Sequence, residues 1–139
     1  MQEQNFKNHV RYVPLYHIVF LGIVIAIVAI AVKNLFYGVN ISSILFFLIG
    51  IAFLISFVVF RQFPLAAQDR AIRAEENLRY FSLTGRLFDS KLTMGQIIAL
   101  RFASDEELVA LADRALKENM SNTEIKKAIK NWKADHHRA

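Results

Sequence analysis

Polar and apolar positions divide this chain into two unlike parts near residue 60. Leu15–Val32 and Ile41–Phe60 hold no charged residue, and Lys33–Asn40 alone separates them. At 1.5 Å per helical residue each run spans roughly 27–30 Å, the thickness of a bilayer's hydrocarbon core. The pair predicts a transmembrane helical hairpin. After Phe60 the pattern becomes charged and amphipathic. Pro64 is expected to open a helix running to about Leu83, with Asp69→Arg73 and Glu75→Arg79 as i,i+4 pairs, and Thr84-Gly85 to break it. Three further helix starts carry the capping-box pattern, in which side chains satisfy the free N–H groups of the first turn: Thr93 with Gln96, Ser104 with Glu107, and Ser121 with Glu124.

The apolar positions behind those caps recur at helical spacing. Ile97, Ile98 and Phe102 follow Thr93; Leu108, Leu111, Ala112, Ala115 and Leu116 form a stripe on the next helix; Ile125, Ala128, Ile129 and Trp132 form one on the last. The expected fold is all-α: a segment at 1–14, the hairpin at 15–60, and a small cytoplasmic helical bundle at 61–139.

Charge supplies the orientation. Lys7 and Arg11 precede the first run and Arg61, Arg70, Arg73 and Arg79 follow the second, whereas the connecting loop offers Lys33. The positive-inside rule then expects both termini in the cytoplasm. Lys7, Arg11 and Ala29-Ile30-Ala31 also mimic a signal peptide. The apolar run exceeds the usual 7–15-residue core and a second run follows at once, so a retained anchor is expected. Arg11, Tyr12, Tyr16 and His17 have the character of membrane-interface anchors, with Pro14 tolerated in a first helical turn, and Asn40 is a fair N-cap for the second span. Phe36 and Tyr37 on the far side, and Phe60 and Phe63 at the exit, complete the interfacial set. Gly22-x-x-x-Ala26 and Ala52-x-x-x-Ser56 are small-x-x-x-small spacings suited to helix packing, within the hairpin or against another subunit.

Composition narrows the chemistry. The chain has 139 residues and no cysteine, which removes disulfides, thiolate metal sites and cysteine nucleophiles. No Asp, Glu, Lys or Arg lies inside the spans, whereas ion-carrying subunits normally keep one there. His9 and His17 lack the spacing of a ligand pair, and His136-His137 belongs to a solvated tail. Glu75-Glu76 and Asp105-Glu106-Glu107 resemble acid/base pairs, but carboxylates in a first helical turn stabilise the helix dipole. No glycine-rich phosphate loop, serine elbow or HExxH is present. A non-enzymatic protein without cofactor or metal is expected.

Two features point to a partner or lipid contact. Arg101 interrupts the apolar stretch Ile97–Ala103, either paired with Asp105 one turn later or reaching a partner. Lys126, Lys127, Lys130 and Lys133 surround Trp132, which suits docking onto anionic lipid if Trp132 is not simply core. Nucleic acid is a weaker reading, since aromatics do not interleave with the lysines, and from Arg61 onward 14 Lys/Arg stand against 11 Asp/Glu, a dilute excess.

Arg11-Tyr-Val-Pro-Leu-Tyr-His17, Gln68-Asp69-Arg70-Ala-Ile-Arg73-Ala-Glu75-Glu76-Asn-Leu-Arg79-Tyr80 and Gln96-Ile-Ile-Ala-Leu-Arg101-Phe-Ala-Ser-Asp105-Glu106-Glu107 together resemble a family of short two-span bacterial membrane proteins. That family is a domain of unknown function found mainly in Bacteroidota, some of whose members carry the label of an ABC transporter permease. The resemblance implies a bacterial cytoplasmic-membrane location and an intracellular C-terminal region. Of the function classes, an accessory or scaffold subunit of a larger inner-membrane assembly is expected first. A component of a transport system, or a membrane-tethered lipid- or nucleic-acid-binding module, is the alternative. Membrane lipids and other membrane-protein subunits are the partners these readings imply.

Overall fold

The structure, a computed structural model, describes residues 4–135; His136 and His137 lie outside the described residues. Among the described residues the regular elements are all helices: α1 (Leu15–Tyr37), α2 (Ile41–Thr84), α3 (Met94–Leu100), α4 (Asp105–Lys117) and α5 (Asn122–Ala128). The described residues form two compact units, one of residues 11–64 and one joining residues 4–10 with residues 65–135.

In the first unit both predicted spans are helical. α1 is 23 residues with a mean hydropathy of 2.8 in its most apolar window, and its first six residues, Leu15–Phe20, are wound as a π-helix. It runs five residues beyond Val32, because Lys33 and Asn34 stay helical until Gly38 ends the ladder. Asn40 caps α2 as expected, and reciprocally: the Ser43 N–H donates to Asn40 Oδ1 at 2.9 Å and the Asn40 N–H donates to Ser43 Oγ at 2.9 Å. α2 has a mean hydropathy of 2.9 in its most apolar window. Both helices are long and apolar enough to cross a membrane, and only 11% of each apolar window is buried.

Their close approach is at Gly50. A β-carbon there would stand 3.3 Å from Val28 Cγ2 and 3.5 Å from Val28 Cα, so glycine lets the backbones meet. Val24 and Ala31 are buried on α1, and Ser43 and Gly50 on α2. Gly22, Ala26 and Ala52 are exposed, and Ser56 is half-buried. The packing glycine inside the hairpin is therefore Gly50; the face bearing Gly22 and Ala26 points away from it.

One boundary differs from expectation. Pro64 does not start a helix; α2 carries it as an interior residue and continues to Thr84, 44 residues in all. Proline inside a helix removes one backbone hydrogen bond. Here a long apolar helix precedes it and Leu65-Ala66-Ala67, all strong helix formers, follow, so the ladder re-forms on both sides. The break comes at Gly85, whose φ of +72° and N–H bond to the Phe81 carbonyl (2.8 Å) end α2.

The second unit is built on the end of α2 and on α3–α5. Their shared core comprises Tyr80, Phe88, Leu92, Ile97, Leu100, Phe102, Leu108, Leu111, Ala112, Ala115, Met120, Ile125 and Ile129 among others. Burying a Leu, Ile or Phe side chain is worth about 2 kcal/mol, so this cluster supplies the unit's main driving force. Thr93 and Ser121 form complete capping boxes with Gln96 and Glu124. Ser104 is the N-cap of α4 without a side-chain bond to its first turn. Glu107, its expected reciprocal partner, instead accepts the N–H groups of Lys130 (3.1 Å) and Asn131 (3.2 Å).

Candidate functional site

α5 ends at Ala128, sooner than the apolar spacing predicts, so Trp132 is not on a helix. The chain turns extended and pairs back on the α3–α4 junction. Trp132 bridges Ala103 in antiparallel fashion, the Ser104 N–H donates to the Asn131 carbonyl at 3.1 Å, and the Lys133 N–H donates to the Phe102 carbonyl at 2.8 Å. The Glu107 carboxylate holds the turn that makes this pairing possible. The apolar stripe expected to run through Trp132 on one helix thus stops at Ala128: Ile125 and Ile129 are core, Ile129 is already extended, and Trp132 packs on the core from the extended segment.

That pairing gathers the residues singled out from the sequence around Phe102, which is 1% exposed. The Trp132 ring lies 5.0 Å from the Phe102 ring and the Arg101 guanidinium 4.6 Å from it. Arg101 is buried and its Nη1 stands 3.2 Å from an Asp135 carboxylate oxygen. Asp105, expected as its partner, goes to Arg79 instead. Lys126 Nζ sits 5.8 Å above the Phe102 ring. Lys126 and Trp132 are thus turned into the unit, while Lys130 and Lys133 are exposed on the extended segment. The four lysines do not surround Trp132 on one helical face.

The residues 4–9 complete the cluster, and nothing local in the sequence announces this. The His9 ring lies 5.8 Å from Phe102, 5.7 Å from Trp132 and 5.9 Å from Phe6. His9 Nδ1 is 2.7 Å from the Phe6 carbonyl oxygen, and Nε2 is 3.2 Å from Lys126 Nζ. A carbonyl accepts and an ammonium donates, which assigns the proton to Nδ1 and leaves the Nε2 lone pair for Lys126. Gln4 adds two bonds to Asp135: its Nε2 donates to the Asp135 carbonyl at 3.3 Å, and its Oε1 accepts the Asp135 N–H at 2.8 Å. Lys127 Nζ stands 5.7 Å above the Phe6 ring. Residues 4–9 are in effect a strap across α5 and the extended segment.

A second polar knot joins the end of α2 to the α3–α4 junction. The Arg79 guanidinium donates to Asp105 Oδ1 (2.6 Å), to Glu76 Oε2 (3.0 Å) and to the Ala103 carbonyl (2.7 Å). The expected partner of Arg79, Glu75, is exposed; Glu76, one residue on, is buried. The Arg79 hydrogen bond first, and its charge second, hold the Asp105 carboxyl below its ordinary value. A lowered native-state value means that the pair stabilises the fold above the usual aspartate range and that this contribution is lost as pH falls through the lowered value. Asp105→Asn is therefore expected to lower the unfolding midpoint at pH 7, and the difference from the unaltered chain should shrink as the pH falls below the ordinary aspartate range. Because the Asp105 side chain is 59% exposed, the loss at pH 7 should stay under about 1 kcal/mol. An equal difference at pH 7 and below the aspartate range would contradict the pairing.

In the first unit the predicted interface anchors form one aromatic set. The Tyr12 and His17 rings stack at 4.7 Å, and the Tyr16 and Phe57 rings at 4.7 Å with 8° between their planes. The Tyr16 hydroxyl donates to the Phe57 carbonyl, tying the start of α1 to α2. His17 folds back onto its own helix start, with Nδ1 2.9 Å from the Val13 carbonyl oxygen. Arg11 is exposed beside them.

Among the described residues no three or more His, Asp or Glu side chains are grouped to hold a metal. One cleft beside Tyr80, Phe88, Leu92 and Leu116 holds about 170 Å³, and a more open one beside Arg114, Glu118, Met120 and Lys127 holds about 400 Å³. What the site residues do is fasten chain segments to one another.

No curated protein and no solved structure matches the chain. One family does, along residues 1–139: the chain belongs to DUF6526, a family of unknown function.

Proposed function

We propose that this protein is a small, non-catalytic integral membrane protein that serves as an accessory or scaffold subunit of a larger bacterial inner-membrane assembly. The observation that carries the reading is the hairpin's unburied apolar surface. Ile18, Ile23, Ile30, Leu45, Phe46, Leu48 and Ile55 are each between 52% and 60% exposed, on helices long enough to span a bilayer. Surface of this extent is stable in lipid or against other spans, not in water. Gly22 and Ala26 lie on it, where a further helix could approach closely.

Both termini are cytoplasmic in this reading, and two features support it. Lysine and arginine flank the spans on one side. The bonds between Gln4 and Asp135 also support a topology in which the segments before and after the hairpin share a compartment, as an even number of crossings provides. The helical unit is then a cytoplasmic bundle that offers its surface to a partner subunit. The resemblance to two-span proteins of Bacteroidota supports the bacterial inner membrane.

Purification of the full chain from its native membrane in mild detergent tests the proposal. Further membrane subunits should co-purify in constant ratio. Recovery of this chain without any other protein would overturn the assembly reading, and recovery in the soluble fraction would overturn the membrane reading itself.

A further inference from the structure

We propose that the distal part of α2 pairs with α2 of a second copy of this chain as a parallel, in-register two-helix coiled coil. Ala67, Ala71, Ala74, Leu78 and Phe81 recur at steps of four and three, the spacing that defines a coiled-coil seam. All five are exposed, Leu78 by 69% and Phe81 by 49%. At 100° per residue this seam lies opposite the face carrying Ile72, Glu76 and Tyr80, which is buried within the unit. One face of this helix is thus used by the chain's own core, and the other is apolar and uncovered.

Lipid does not cover it, because Asp69, Arg70, Arg73, Glu75, Glu76 and Arg79 crowd the same stretch and charged side chains at that density stay in water. A large leucine and a phenylalanine on one stripe in water mark an interaction surface.

Charge complementarity identifies the occupant. With the seam at the a and d positions, Ala71 and Leu78 are a, and Ala67, Ala74 and Phe81 are d. Arg70 then falls at g and Glu75 at e. In a parallel dimer each g residue faces the e residue five positions on in the other helix, so Arg70 of one copy meets Glu75 of the other, twice by symmetry. Both are exposed, and among the described residues neither joins an ion pair. Antiparallel pairing would instead set g against g and e against e and forgo both contacts. The alanines at three of five seam positions permit close approach, and Leu78 and Phe81 provide the apolar area. The pairing rests on this helix face and goes beyond the membrane reading.

The chain has no cysteine, so single cysteines report cleanly. In the full-length protein, in membranes and again in detergent, Ala71→Cys, Ala74→Cys and Leu78→Cys should each give a disulfide-linked dimer under mild oxidation. Equivalent seam positions lie within disulfide reach, Cα atoms about 6 Å apart. Arg73→Cys, exposed but off the seam, should give little. Arg70→Glu should weaken dimerisation roughly tenfold by placing like charges together at two sites, and Arg70→Glu with Glu75→Arg should restore it. Equal yields from Arg73→Cys and Ala74→Cys, a monomer by light scattering, or capture of a chain of different mass through Ala74→Cys would each overturn the proposal. So would a mixed disulfide between Ala67→Cys and Phe81→Cys chains in preference to like pairs, the mark of antiparallel packing. Seam cross-linking by a protein found in the soluble fraction would leave the pairing intact and remove the membrane reading alone.

Discussion

Arg79→Ala is expected to destabilise the helical unit by about 3 kcal/mol. The guanidinium serves three acceptors, on α2, on α4 and in the α3–α4 junction, and its side chain is 11% exposed. Truncation strands the Glu76 carboxylate, itself 11% exposed, and the Ala103 carbonyl; an uncompensated buried charge costs about 3–5 kcal/mol. The exposed Asp105 contributes little to that total. Arg79→Lys should recover less than half of the loss, since one ammonium cannot span acceptors laid out for a planar fork. Unfolding followed by circular dichroism in detergent provides the measurement. A drop below about 1 kcal/mol for Arg79→Ala would mean that the knot is a surface ornament.

The second large effect belongs to Phe102. Phe102→Ala should cost about 4 kcal/mol, in the range for emptying a fully buried aromatic position. The loss is not confined to a cavity. Phe102 is the common neighbour of His9, Trp132, Arg101 and Lys126, so its removal should loosen the residues 4–9 strap and the extended segment together. Trp132 is the chain's single tryptophan, and its emission should shift to the red as the ring gains water. Residues 4–9 should also become open to limited proteolysis. An unchanged emission maximum and midpoint would show that Phe102 is not the centre of the cluster.

What the sequence made legible is what is encoded locally. Charge-free runs located the hairpin helices, Thr93 and Ser121 located the starts of α3 and α5, and the Leu108–Ala115 stripe located the buried face of α4. Each of these signals is complete within one or two turns. Misreadings arose where a distant contact outbid a local one. Glu107 has the right spacing to close a capping box on Ser104, yet two unpaired N–H groups at Lys130 and Asn131 claim its carboxylate. Arg101 and Asp105 sit one turn apart, yet each finds its acid or base elsewhere, at Asp135 and Arg79. Trp132 fits the α5 period, yet the backbone bonds to Phe102 and Ser104 draw it into an extended segment. The role of His9 had no signal at all. Its one local contact, with Phe6 three residues earlier, follows no helix or strand spacing, and its neighbours Phe102, Lys126 and Trp132 are set by chain topology. Gly50 had a weak signal, as one of two glycines in the spans; the spacing rule favoured Gly22 because it counts small residues and does not know which face turns inward.

The Gln4–Asp135 bonds have a consequence for how this molecule comes into being. The two residues are 131 positions apart, and the whole hairpin intervenes. At ribosomal speeds of about 5–20 residues per second, residues 4–9 emerge roughly 7–25 seconds before their counterpart exists. Until then residues 4–9 have only one another, and lack Trp132 and Asp135 from the far end of the chain. The strap can therefore close only on chains that have been translated through to residue 135, long after both apolar helices have been made.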